Sequence, residues 1–303
     1  FVLLFLQRRN KMGNKDTSFS GKYLIQCRGT FMDLSVPRVM GIVNVTPDSF
    51  YEGSRTMQEE AVMQQTERMV SEGADILDVG GYSSRPGAEH ISQQEELNRL
   101  LPALETIRRA YPDLILSVDT FRPGVARIVV EDYEVDMIND ISGGEMGPSM
   151  FETIADLNVP YIMMHMKGTP QNMKEKAHYT EIMKEITRYF SARLDELRRL
   201  GVKDIMLDPG FGFGKTIEHN YQLLNRLDEL KIFGLPLMVG LSRKSMIYKV
   251  LDISPDEALN GTTALNTLAL ERGANILRVH DVKQAREIIT LKDKMKRSAG
   301  SVE

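Results

Sequence analysis

The sequence predicts an α/β chain built as a (β/α)8 barrel, the TIM-barrel architecture, preceded by a β-hairpin. Two observations carry this. Short apolar runs alternate with longer segments of helical period eight times over, and every apolar run ends on polar residues. Near-continuous apolar runs are what strands buried on both faces of a parallel sheet require. A barrel of eight such units needs ~250 residues, and residues 39–297 supply that length. No break in composition divides the chain, so residues 22–297 are expected to form one barrel domain, with 298–303 as a short C-terminal tail.

The elements follow in order. Lys22–Cys27 and Phe31–Leu34 read as the hairpin, joined by the Gly-containing loop Arg28-Gly29-Thr30. The barrel strands are Val39–Val45, Asp75–Val79, Leu114–Val118, Val135–Ile138, Tyr161–Met164, Ile205–Leu207, Leu237–Leu241 and Ile276–Val279. Helical period marks Met57–Ser71, Gln93–Ala110 and Tyr179–Leu200. Glu59 and Glu60 are placed to favour a helix N-terminus. Ser254 reads as an N-cap with Pro255 at the first helical position and acids behind it. Gly73, Gly201 and Gly273 stand where helices end.

The bulk numbers are those of a globular protein: 42% hydrophobic and 26% charged residues with a net charge of −4 over 303 residues. No basic run marks a nucleic-acid surface. The single cysteine, Cys27, allows no intrachain disulfide and fits a reducing compartment, so the expected location is cytoplasmic. Phe1–Leu6 is apolar but precedes Arg8 and Arg9, the reverse of a signal peptide, and it is too short to span a membrane. Residues 1–11 are expected to lie upstream of a natural start at Met12, and residues 1–21 to form a poorly ordered tail.

The polar strand ends point to function. They are Asn44, Asp78, Asp119, Asn139 with Asp140, His165, Asp208, Ser242-Arg243-Lys244-Ser245, and Arg278 with His280. In a (β/α)8 barrel the C-terminal ends of the strands form the face on which active sites are built. Asp78, Asp140 and His165 are those best suited to a purely structural role. Asp119, Asn139 and Asp208 are acceptor-rich and suit the N–H edge of a planar ring. Lys244, Arg243, Arg278 and His280 suit an anion, with Arg85 and the helix starting near Ser245 as further donors. The Asn44 oxygen suits a hard cation. The stretch "DPGFGFGKT" (Asp208–Thr216) ends like a nucleotide P-loop, but Pro209 stands where that loop needs its first glycine.

The motifs together resemble the bacterial dihydropteroate synthase family. They are "MGIVNVTPDSF" (Met40–Phe50), "DVGGYSSRPGA" (Asp78–Ala88), "SVDT" (Ser117–Thr120), "INDI" (Ile138–Ile141), "MMHM" (Met163–Met166), "DPGFGFGK" (Asp208–Lys215), "SRKS" (Ser242–Ser245) and "RVHDV" (Arg278–Val282). The resemblance covers about residues 22–297 and keeps the order of the motifs along the chain. It implies a pterin-binding barrel in folate synthesis, in which 4-aminobenzoate displaces diphosphate from 7,8-dihydropterin-6-ylmethyl diphosphate. It also implies Mg2+, commonly a homodimer, and sulfonamides as competitors. Carried over residue by residue, Asp119, Asn139, Asp208 and Lys244 match the pterin pocket, with Met164 in the substrate-binding set. Arg278 and His280 match the diphosphate site, and Asn44 the position near the metal. Phe50, Arg85, Pro86 and Ser245 match the aminobenzoate region, which Phe213 lines, and Ser84 belongs to the substrate-binding set. Lys244, Arg278, His280 and Asp119 are the implied catalytic residues, and loops near Gly53 and Gly87 the implied mobile ones. Tyr82-Ser83-Ser84-Arg85 stands where the family usually has Glu-Ser-Thr-Arg, and Tyr51-Glu52-Gly53-Ser54 where Ser-Asp-Gly-Gly is common.

Two other readings share the barrel. A pterin-binding methyltransferase domain would keep the carboxylates but needs no diphosphate site, against which "SRKS", Arg278 and His280 count. A non-catalytic pterin-binding paralogue would not need Asn44, Lys244, Arg278 and His280 together. Diphosphate release with and without 4-aminobenzoate separates all three.

Overall fold

The computed structural model describes residues 23–46, 55–84 and 89–299. The expected tail 1–21, Lys22, the Gly53 and Gly87 regions, and the site residues Phe50, Arg85 and Pro86 lie outside them. A two-stranded antiparallel hairpin, β1 (Leu24–Cys27) and β2 (Thr30–Asp33), comes first. Its turn is two residues, Arg28 and Gly29, both at positive φ (40° and 79°), the geometry that matches strand twist. Thr30, expected in the loop, pairs with Cys27 instead.

The barrel strands are β3 (Arg38–Asn44), β4 (Ile76–Gly80), β5 (Ile115–Asp119), β6 (Met137–Asp140), β7 (Tyr161–Met164), β8 (Ile205–Asp208), β9 (Met238–Val239) and β10 (Ile276–Val279). They pair in parallel in the order β8-β7-β6-β5-β4-β3-β10-β9. A parallel bridge between Leu207 and Leu237, with the Leu207 amide on Pro236 O (2.9 Å), closes the ring. The helices outside are α1 (Arg55–Ser71), α2 (Gln93–Ala110), α3 (Pro123–Tyr133), α4 (Met150–Leu157), α5 (Ile182–Arg199), α6 (Ile217–Asn225), α7 (Ser245–Leu251), α8 (Leu259–Glu271) and α9 (Val282–Ala299).

Local differences from the sequence reading have local causes. α1 is described from Arg55, which puts Glu59 and Glu60 past its first turn. α5 starts at Ile182 because the Glu181 carboxylate caps the amides of Met183 and Lys184. Ser254 and Glu257 form a capping box around a 3-10 turn, Pro255–Glu257, and α8 follows separately. β9 shortens to two residues between Pro236, which has no amide to donate, and the turn into α7. α9 continues past residue 297 to Ala299. Gly73, Gly201 and Gly273 do follow helix ends, with φ of 94°, 85° and 100°.

Alternation along each strand divides the core in two. Outward residues such as Val39, Leu77, Leu116 and Leu207 pack under the helices. Inward residues at the strand starts, Met40, Ile76, Met137, Ile162, Met206, Met238 and Ile276, form one apolar layer with partly buried Ile115. The hairpin plugs the barrel beneath that layer with Ile25, Cys27, Met32 and Leu34. Each such buried aliphatic side chain contributes roughly 1.5–3 kcal/mol.

One buried carboxylate ties the plug to the barrel. Asp136, 1% exposed, accepts from Arg28 Nε (2.8 Å), Arg108 Nη2 (2.9 Å) and the Leu116 amide (2.8 Å). Asp136→Ala removes the buried carboxylate that Arg28 and Arg108 share, leaving Arg28 with Glu134 and Arg108 with backbone carbonyls alone, and is expected to destabilise the fold by about 3 kcal/mol, as loss of one member of a buried pair does. Urea denaturation measures it; a loss under about 1 kcal/mol would mean that the pair behaves as an exposed one.

Candidate active site

Two residues beyond the apolar layer, the inward positions of five strands turn polar: Asp78, Ser117, Asn139, Asp208 and Arg278. The register sets Asp78 level with Ser117, Gly80 with Asp119, Asp119 with Asn139, and Met164 with Asp208. Asn44 and Asp119 close over Gly80: a Cβ built there would stand 3.7 Å from Asn44 Oδ1 and 3.6 Å from Asp119 Cβ. The inner wall of the barrel mouth is therefore a set of acceptors, with Arg278 rising among them from β10.

Arg278 organises this set. Its Nε donates to Asp78 Oδ2 (2.6 Å) and its Nη2 to Asp119 Oδ2 (2.9 Å), while Asn139 Nδ2 donates to the same Asp78 oxygen (2.9 Å). Burial works against the guanidinium charge, but Asp78 and Asp119 together raise its pKa. Burial pushes the Asp119 carboxyl up to about 7; Arg278 pulls it down, and Asp78, Glu96 and Asp140 push it up. Asp78 Oδ1, Asn139 Oδ1 and Ser117 Oγ are buried without a protein partner. Unpaired buried acceptors are rare in folded proteins and call for an explanation, and a ring that donates N–H groups into the barrel supplies one.

The β8–α6 loop forms the next wall. Asp208 accepts the Gly210 amide (2.8 Å) on Oδ1; burial raises its carboxyl, against the pull of Lys244. Lys244 donates to Phe211 O and lies 4.5 Å over the Phe213 ring. Burial lowers the Lys244 ammonium to about 8, with Asp208 opposing. Gly210 has φ 70°, and a Cβ there would be 2.0 Å from His165 O, so the loop passes too close to β7 for any side chain. Lys215 turns back beneath the loop: its Nζ is 2.9 Å from Gly210 O, 3.0 Å from Phe213 O, and 3.0 and 3.3 Å from His165 Nδ1 and O. The residue that looked like a P-loop lysine is thus spent on the loop's own acceptors. Burial lowers its ammonium to about 7, and burial followed by Lys215 drives His165 well below the ordinary histidine range.

The other strand-end residues separate by direction. Asp140 points outward and anchors the Gly-rich turn, accepting from Ser142 N and Oγ (2.7 Å each), Gly144 N (2.9 Å) and Tyr161 Oη (2.7 Å). The structural role read for Asp140 and His165 holds. For Asp78 it does not: fully buried and bonded to both Arg278 and Asn139, it belongs to the site. Arg243 is held by Asp281 (2.7 Å) and Asp256 (3.2 Å), apart from Lys244 and Arg278, the cations with which sequence reading grouped it. Ser245 opens α7, and His280, half-buried, donates its amide to Ser242 Oγ (3.3 Å). Ser84 is half-buried at the end of the described β4 loop. Sequence reading named Met164 and Phe213 but missed the rest of the apolar cluster they join at the mouth: Tyr82, Phe121, Ile141, Met166 and Met173. Tyr82 and Phe121 meet edge to face (5.0 Å), and Gln171 Nε2 donates to Tyr82 Oη (2.9 Å). The available signal was an aromatic residue just past each of two polar strand ends.

Comparison with known proteins agrees with this geometry. Residues 40–280 match the model of the pterin binding enzyme family. The chain is 44% identical over 264 residues to dihydropteroate synthase of Escherichia coli K12, covering 86% of this chain and 92% of that protein. It is 40% identical over 260 residues to the Haemophilus influenzae dihydropteroate synthase, covering 85% and 94%. Among solved structures, Yersinia pestis dihydropteroate synthase in a sulfonamide drug complex superposes with a TM-score of 0.84 at 40% identity, over 90% of this chain and 99% of that one. Xanthomonas albilineans dihydropteroate synthase with 4-aminobenzoic acid gives 0.84 at 39% identity, over 91% and 98%. A barrel mouth lined with ring acceptors, and relatives of this closeness over this much of the chain, lead to one assignment: the chain belongs to the dihydropteroate synthase family of pterin-binding enzymes.

Proposed function

We propose that the chain condenses 7,8-dihydropterin-6-ylmethyl diphosphate with 4-aminobenzoate to give 7,8-dihydropteroate and diphosphate, a step of folate synthesis in the cytoplasm, and that sulfonamides compete with 4-aminobenzoate. The observation that carries the reading is the polar half of the barrel interior, where Asp78, Ser117, Asn139, Asp119 and Asp208 converge and three acceptor atoms lack a protein partner. A pterin presents a guanidine-like edge, and a carboxylate accepts two parallel N–H bonds from such an edge.

Asp208, Asn139 and Asp119 hold the ring in this reading, with Met164 against it. Lys244 stands between ring and loop. Arg278 and His280 meet the diphosphate, whose charge grows as the C–O bond breaks and its electron pair leaves with the phosphate. The amine of 4-aminobenzoate forms the new C–N bond at the methylene carbon and gives up one proton; no protein nucleophile is needed. Phe50, Ser84, Arg85, Pro86 and Ser245 complete the aminobenzoate side, which Phe213 lines. Among the described residues no group of three or more His, Cys, Asp or Glu could hold a metal. That donor set fits Mg2+ only in the mode in which substrate phosphates and water supply most oxygens and the protein one or two, here Asn44 with its side-chain oxygen. When bound, the ion would offset the charge of the leaving diphosphate.

A homodimer is part of the proposal. Val250 and Leu251 of α7, Leu268 of α8, and Leu291 and Met295 of α9 are each more than half exposed, which leaves apolar surface on adjacent helices. No helix among the described residues is long and apolar enough to cross a membrane.

Diphosphate release is expected to need both substrates and Mg2+; release without 4-aminobenzoate, or none with both, overturns the reading. Asp208→Asn is expected to weaken pterin binding by roughly 2–4 kcal/mol through lost charge-assisted bonds, with the circular dichroism unchanged; calorimetry is the check. The Asp119 carboxyl gives a pH test. Its folded pKa, about 7, lies above the ordinary 3.8, so the folded state binds its proton more tightly. Its ionisation therefore costs stability as pH rises through that window and costs nothing below it. Wild type should gain melting temperature relative to Asp119→Asn as pH falls from about 8 to about 5, while its pterin affinity falls. A difference that stays flat contradicts the assignment.

A further inference from the structure

We propose that Lys215 is a positioning residue for this reaction: an internal cation that stands where a bound ion could stand and gives the β8–α6 loop the shape on which the ring pocket depends. The inference rests on the pterin reading of the site.

Four acceptors converge on one ammonium. Gly210 O, Phe213 O and His165 O are three carbonyl oxygens from two separate segments, and His165 Nδ1 is the fourth acceptor, all within 3.3 Å of Nζ. Three carbonyls aimed at one buried point repel one another unless a cation lies between them. Lys215 is only 9% exposed, so solvent does not take that place. With Nδ1 accepting, the His165 ring is neutral and carries its proton on Nε2.

The cage is linked to the pocket through Gly210. Its carbonyl faces Lys215, and its amide donates to Asp208 Oδ1. The carbonyl of Phe213 faces the same cage while its ring meets Lys244 on the pocket side. Between them, Phe211 O receives Lys244. The loop is thus drawn from two sides by two lysines: one in the pocket, one behind it. Removing the hidden one frees two peptide units, and with them the orientation of Asp208, Phe213 and Lys244. Lys215 touches no ring and no reacting atom in this arrangement, so it acts through those three.

The experiment compares K215A and K215M with wild type in the full chain, by calorimetry with a pterin and by diphosphate release. Wild type is measured first, so failure of the pterin reading shows there and not in the variants. Both variants should lose about 100-fold in kcat/KM, the effect of a misplacement near 1 Å, and at least about tenfold in pterin affinity, with melting still cooperative. Ammonium or methylammonium chloride should restore affinity to K215A, whose side-chain space is open, and not to K215M, whose methionine fills it. Sodium chloride at equal ionic strength should restore neither. Wild-type pterin affinity in K215A overturns the proposal, and so does a loss that ammonium leaves unchanged. If K215A does not fold, folding regained with ammonium alone supports the cage. Failure to fold in both salts overturns it, because the lysine then serves the barrel and not the pocket.

Discussion

Arg278 lies between Asp78 and Asp119, and the arrangement of the polar half of the barrel depends on it. Two carboxylates near each other in a buried site repel unless a cation lies between them. The guanidinium supplies it with a separate N–H for each, a geometry that an ammonium could not match. Asn139 then completes the Asp78 oxygen that Arg278 also uses. The balance is incomplete by design of the site: Asp119 titrates near neutrality, and acceptor atoms remain unpaired. In this reading the ring and the diphosphate complete what the folded chain leaves open. Arg278, which holds the carboxylates, links the two substrate ends in the same reading, because it is also the residue proposed to meet the phosphates.

The barrel separates stability from chemistry along its axis. Below, methionine and isoleucine side chains meet the hairpin plug, and Asp136 with its two arginines fastens that plug. Above, the same strands present acceptors. The change occurs within two residues because side chains alternate along a strand and only every second position faces inward. Bulky apolar residues at the lower inward positions fill the axis and exclude water, so the polar layer rests on a dry floor. Electrostatic interactions in such a place are stronger than at an open surface, for the ligand as well as for the protein.

The glycine loop shows a related economy of charge. Lys244 and Lys215 approach the same short segment from opposite sides, and burial lowers both ammonium groups towards neutrality. Glycine at position 210 lets the backbone pass against His165, and that close approach creates the carbonyl cluster that Lys215 then satisfies. A loop with side chains at these positions would stand further out, and the Asp208 carboxylate would lose its amide partner.

Much was legible in the sequence by itself. The run of apolar segments determined the strands, because a strand buried on both faces admits few polar residues, and the residue after each run named the site face. Asp119, Asn139, Asp208, Lys244 and Arg278 could be read as one constellation for that reason, and the motif order pointed to the family. Other features were decided only by tertiary structure. Asn139 and Asp140 are neighbours in sequence, yet one faces the axis and the other the helices; strand phase separates them, and phase is set by pairing. Arg243 and Lys244 diverge likewise, because Asp281 and Asp256 capture the arginine from elements remote in sequence. Asp78 joined the site through Arg278, two hundred residues away. Lys215 found its acceptors in two segments brought together only by the closed sheet. Sequence determines which residues can carry charge into the barrel; the register of eight strands decides which of those charges meet.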